Sequence, residues 1–135
     1  MNETVQIFSI PSNPSGIHTI ESIIESCCYE QPKFSKELYG NILIASTEAF
    51  ANAVNHGNKN DESKFVHFEV EVAENYVQFI ISDEGEGFDY ENLPDPTLPE
   101  NIMKETGRGI FIMKSLSDEY EFLNQGKTVR LKFNL

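Results

Sequence analysis

The chain has 135 residues, 39% hydrophobic and 24% charged, which is enough apolar material for one domain with a real core. Its formal net charge of −12 argues against a nucleic-acid backbone or an anionic membrane as the main partner, because like charges repel. No apolar run approaches the roughly 20 residues that span a bilayer, and the start "MNETVQIFSIPSNP" lacks a basic region followed by an apolar stretch, so a cytoplasmic protein is the expectation.

In chain order, "TVQIFSI" alternates and reads as a strand, which "PSNPSG" breaks. "IHTIESIIESCCYE" carries Ile17, Ile20, Ile23 and Ile24 at helical spacing. It ends on Cys27 and Cys28, the only cysteines, whose adjacency disfavours a bridge and offers no pair for a framework. His18, His56 and His67 lack zinc-ligand spacing with them. Ser35 is a plausible cap for a long helix whose core stripe is Leu38, Ile42, Ala45, Ala49 and Ala53, stopped by Gly57 and Asn58. "KFVHFEVEV" and "VQFIIS" alternate and read as an antiparallel hairpin. "GFDYENLPDPTLPENIMKETG", with three prolines and no period, reads as a long functional loop with a short helical turn near Glu91. A third helix is expected to begin at Gly109, and "EYEFLNQGKTVRLKFNL" closes the chain as a hairpin turning at "NQGK". The order β-α-α-β-β-loop-α-β-β predicts an α+β two-layer sandwich: a mostly antiparallel sheet with helices packed on one face.

Three glycine clusters invite a phosphate reading. "GKT" (126–128) is not a P-loop, because Glu121 stands where the first glycine belongs and a strand follows. Tyr90 and Ile112 occupy the third-glycine positions of a dinucleotide fingerprint. Gly85 removes the third ligand of an EF-hand from "DEGEGFD".

The acidity of that last stretch would repel phosphate. A carboxylate such as Asp83 at a strand end can instead accept from an amino group, adenine's for instance, with Gly85 and Gly87 leaving room for a flat ring. A plain Asp-Gly turn explains the same residues. "ETGRGIFIMKS" differs: glycines precede a helix, and Lys104, Arg108 and Lys114 are basic, which suits an anion. Glu48, Asn52 and His56, four residues apart, stack beside the apolar stripe. The Asn52 oxygen suits Mg²⁺, and Glu48 suits proton abstraction from a hydroxyl. A solvated helix edge is the plain alternative, and a helix-ending imidazole is the plain reading of His56.

Taken together, "EAFANAVNHGN", "DEGEGFD", "GRGIFIMKSLSDEYEF" and "GKTVRL" resemble, in order, the N-box, adenine box, second glycine box and final strand motif of the GHKL (Bergerat-fold) ATPases. Small size and the third motif are most similar to anti-sigma factor serine kinases of the RsbW and SpoIIAB type. That resemblance implies ATP and Mg²⁺ as cofactors. It implies a sigma factor held inactive and a STAS-domain anti-anti-sigma factor phosphorylated on serine, and it allows a homodimer. Glu48 falls on the proposed general base, Asn52 on the Mg²⁺ ligand and Asp83 on the adenine anchor beside Gly85 and Gly87. The nucleotide contacts extend over His56, Lys104, Thr106, Gly107, Arg108, Gly109, Ile110 and Thr128. Leu93 to Thr106 would form an ATP lid, with Glu105 where some relatives place an arginine. The expected function is an ATP- and Mg²⁺-dependent serine protein kinase and anti-sigma regulator. The rival, suggested by the scarcity of basic residues in the lid, is a nucleotide-sensing module that captures its partner without phosphorylating it.

Overall fold

The computed structural model describes residues 4–28, 33–87 and 105–135, apart from the side chains of 105–107. The elements are β1 (Thr4–Pro11), α1 (Gly16–Cys28), α2 (Lys36–Asn52), β2 (Phe65–Val72), β3 (Tyr76–Ser82), α3 (Glu105–Leu116), β4 (Glu119–Leu123) and β5 (Thr128–Asn134). The five described strands form one sheet in the order β1-β2-β3-β5-β4, and each neighbouring pair is antiparallel.

Period-two alternation divides the sheet into two faces. Val66, Phe68 and Val70 of β2, Val77, Phe79 and Ile81 of β3, and Val129, Leu131 and Phe133 of β5 are all buried on the inner face. They pack with Ile20, Ile23 and Ile24 of α1, Ile42, Ala45, Ala49 and Phe50 of α2, and Ile110 and Met113 of α3 in one core cluster. Phe79 is central, with ring centroids 5.8 Å from Phe68 and 6.0 Å from Phe133. Truncating such a fully buried phenylalanine to alanine costs about 3–5 kcal/mol. The outer face is polar: Arg130 pairs with Glu121 at 3.3 Å and donates to Gln78 at 3.0 Å. The expected α+β sandwich with helices on one face is the architecture observed.

Local chemistry explains the element ends. Ser35 caps α2 by accepting from the Leu38 N–H at 3.1 Å. The last hairpin turns through Asn124, Gln125 and Gly126, all at positive φ. Two boundaries differ from the sequence reading. The long helix keeps α geometry only to Asn52, and Ala53–Gly57 then forms a π turn closed by the Asn58 N–H on the Ala53 carbonyl at 2.8 Å. Such single wide turns insert one extra residue and collect at functional sites. The third helix begins at Glu105, not Gly109, so Gly109 lies within the helix. Glycine weakens a helix interior without forbidding it, and the apolar positions Ile110, Met113 and Leu116 hold this one against the core. Of the lid expected from Leu93 to Thr106, residues 93–104 lie outside the described residues, as does the turn near Glu91, while the backbone of Glu105 and Thr106 opens α3. Among the described residues, no helix is long and apolar enough to cross a membrane.

Candidate functional site

α2 lies against the sheet through Ala45, Ala49 and Phe50, which places its polar edge at the seam with α3. On that edge stand Glu48 and Asn52. A Cβ on Gly109 of α3 would lie 3.1 Å from Glu48 Oε2 and 3.2 Å from Asn52 Nδ2. A side chain there would press on both polar groups, which would have to give way by a few tenths of an ångström for α3 to stay this close.

A cavity of about 230 Å³ opens behind this seam. Ile81 of β3, opposite Val129 of β5, forms one wall. Ile110 and Met113 of α3 and Phe122 of β4 form another, and Ala49 and Ala53 a third. The walls are apolar, with a few polar groups set among them: Asp83, Asn52, His56 and Lys127. That is the usual makeup of a small-molecule site. A second, polar cavity of about 300 Å³ adjoins it between α2 and α3, lined by Glu48, Asn55, Arg108 and Gly109 together with Asn52 and His56, which line both. The column Glu48, Asn52 and His56 therefore persists through the π turn.

Asp83 follows β3 directly. Its own N–H donates to the Lys127 carbonyl at 2.9 Å, continuing the sheet, and its Oδ1 accepts from the Gly85 N–H at 2.8 Å. Burial pushes its carboxyl above the usual aspartate range; the Gly85 bond and the charges of Lys127 and Lys64 oppose this without cancelling it. The carboxylate lies against Gly57, and Gly85 lies against the Gly57 carbonyl, so a Cβ at either glycine would collide. Gly87, at φ +87°, faces the Gln125 carbonyl and lines the main cavity.

The candidate residues thus fall into groups. Asn52, His56, Asp83, Gly87 and Ile110 line the main cavity, and Glu48, Arg108 and Gly109 line the flanking one. Gly85 shapes the Asp83 turn from behind. Thr128 is absent from both linings; its hydroxyl lies 2.9 Å from Ser82 Oγ and accepts from Asn124 Nδ2 at 3.0 Å. Lys104 and the side chain of Thr106 lie outside the described residues, and Gly107 is placed only as backbone in the first turn of α3.

Sequence reasoning missed the apolar walls and Asn58. Ile81, Val129 and Met113 looked like ordinary core residues, and the register that sets Ile81 opposite Val129 was the signal. Asn58 was read as a helix stop. It is 1% exposed, and its amide bonds three separate segments.

The residues present fit a nucleotide. A carboxylate at the mouth of an apolar cavity matches a flat base bearing an amino group. The adjoining cavity, with Arg108 and the first turns of α3, matches an anion. Among the described residues, no group of three or more His, Cys, Asp or Glu stands together to hold a metal. The donor set instead suits a Mg²⁺ ion bound through one protein oxygen, Asn52 Oδ1, with phosphate and water as the other ligands.

Comparison with known proteins agrees with this geometry. The family model described as a histidine kinase-like ATPase domain matches residues 10–133. A serine-protein kinase RsbW of Oceanobacillus iheyensis is 32% identical over 98 residues, covering 68% of this chain and 62% of that protein. The serine-protein kinases RsbW of Staphylococcus epidermidis and Staphylococcus aureus are 40% and 39% identical over 83 residues, covering 56% of this chain and 52% of each relative. The chain therefore spans between half and two thirds of the length of these curated relatives. With the model matched over nearly its whole length, the chain belongs to the histidine kinase-like ATPase domain family.

Proposed function

We propose that this chain is an ATP- and Mg²⁺-dependent serine protein kinase acting as an anti-sigma regulator. It would hold a sigma factor and phosphorylate a serine of a STAS-domain anti-anti-sigma partner in the cytoplasm. The observation that carries the reading is one continuous site: Asp83 at the apolar cavity, and Glu48 with Asn52 at the polar cavity beside it. The adenine amino group donates to Asp83 while Ile81, Val129 and Met113 enclose the ring. The phosphates extend toward Arg108 and Gly109. Mg²⁺, held at Asn52, supplies charge neutralisation on the phosphates. Glu48 accepts the proton of the serine hydroxyl that attacks the γ-phosphorus as the bond to ADP breaks. A homodimer belongs to the same proposal: β1 is an edge strand, and its Val5 and Ile7 are 52% and 67% exposed.

The test is a transfer assay with γ-labelled ATP, Mg²⁺ and a candidate STAS partner. Label on a partner serine, lost with Glu48→Gln or on chelation of Mg²⁺, supports the proposal. ATP-dependent capture of the partner without label supports a nucleotide-sensing module instead. No ATP binding by calorimetry overturns both.

A further inference from the structure

The Asp83 turn is held from below by a residue that touches no part of either cavity. Asn58 follows the π turn and is 1% exposed. Its Nδ2 donates to Ser12 Oγ at 2.6 Å and to the Phe65 carbonyl at 3.0 Å. Its Oδ1 accepts from the Glu84 N–H at 2.7 Å. One amide therefore ties the end of β1, the start of β2 and the turn after β3 to the end of the long helix. Ser12 is itself fully buried and donates to the Lys64 carbonyl at 2.9 Å, so the anchorage below Asn58 is rigid.

The turn is also gripped from the outer face. Glu84 Oε2 lies 3.0 Å from His67 Nε2, and His67 Nδ1 lies 3.1 Å from Ser9 Oγ. These contacts are exposed, and exposed ion pairs contribute little. The Asn58 bond is part-buried, with its acceptor on a side chain shut away from solvent, and an N–H shielded from water and left without its acceptor is costly.

We infer that Asn58 is a positioning residue for purine selection. By fixing the Glu84 N–H it sets the Asp83 carboxylate against Gly57, in the one place where it can accept from an amino group at the purine 6-position. Guanine presents an oxygen there, and a carboxylate held still repels it. A carboxylate free to swing aside loses that discrimination. The inference rests on the reading of Asp83 as the purine anchor.

Calorimetry with ATP and with GTP on wild type, Asn58→Ala and Asp83→Asn tests it. Asn58→Ala is expected to weaken ATP binding about tenfold and to leave GTP binding no weaker than in wild type, so that the ratio between them collapses. Equal losses for ATP and GTP, or wild-type affinity, overturn the role of Asn58. If Asp83→Asn weakens ATP binding and Asn58→Ala does not, the anchor survives and only this inference fails. If neither variant changes ATP affinity, both readings fail. Should Asn58→Ala not fold, amide hydrogen exchange on the wild type decides. The bond to Asn58 predicts slow exchange at Glu84, outside any strand; fast exchange there overturns the inference.

Discussion

The carboxylate of Asp83 rests directly on the backbone of Gly57, twenty-six residues earlier in the chain but in contact in the fold. There is no space between them for a methyl group. Gly57→Ala therefore displaces either the helix end or the acid. Overpacking of this kind costs about 1–3 kcal/mol. The expected outcome is a lower melting temperature together with loss of ATP affinity by calorimetry. Wild-type affinity in the variant would show that Asp83 does not contact the base.

Glu48 and Asn52 differ in what they are asked to do. Glu48→Gln keeps the shape of the polar cavity and removes the proposed proton acceptor. Positioned general bases contribute about 10²- to 10⁴-fold, so phosphoryl transfer should fall within that range while ATP affinity stays near wild type. Single-turnover transfer and calorimetry on the same preparation measure the two separately.

Asp83 is held above the usual aspartate range by burial. A carboxyl whose folded value exceeds its unfolded one binds its proton more tightly in the folded state. Its contribution to stability is present at low pH and disappears as pH rises through the window between the ordinary and the raised values. At neutral pH the charged acid is therefore a cost in the ligand-free protein. Asp83→Asn keeps the Oδ1 acceptor for Gly85 and removes the charge. It should raise the ligand-free melting temperature at neutral pH by on the order of a degree or two, even as ATP affinity falls. The gain should shrink as pH falls through that window. Melting curves from acid to neutral pH, without nucleotide, give the comparison.

Cys27 and Cys28 form an unequal pair with sulfurs 3.2 Å apart. The hydrogen bond between the two thiols lowers the Cys27 value, while the same bond and burial push Cys28 up. Cys28 is also fully buried. Iodoacetamide should therefore modify one thiol per native chain, at Cys27. Cys28→Ala should slow that reaction several-fold near neutral pH, because the thiolate loses its donor. Peptide mapping by mass spectrometry reads both.

The sheet and the three described helices were legible because period two and period 3.6 are written plainly in residues 65–82 and 38–53. The polar column was legible for the same reason: Glu48, Asn52 and His56 repeat at four. The π turn was not, since Ala53–Gly57 carries no composition that distinguishes i→i+5 from i→i+4 bonding. The start of α3 was misread because Gly107 and Gly109 look like loop residues. What places them in a helix is packing of Ile110 and Met113 on the core, a tertiary effect that propensity does not contain. Asn58 does end the helix, as the sequence suggested, but its side-chain role was not legible, because its partners Ser12, Phe65 and Glu84 belong to other segments that only the fold brings together.

The wide turn at Ala53–Gly57 carries one residue more than an ordinary helical turn would hold over the same rise. Removing one of the five would let the turn close as an ordinary α turn over the same rise, with the segments on either side kept near their present phase. What the extra residue adds is therefore the width of the helix end on which the Asp83 carboxylate rests.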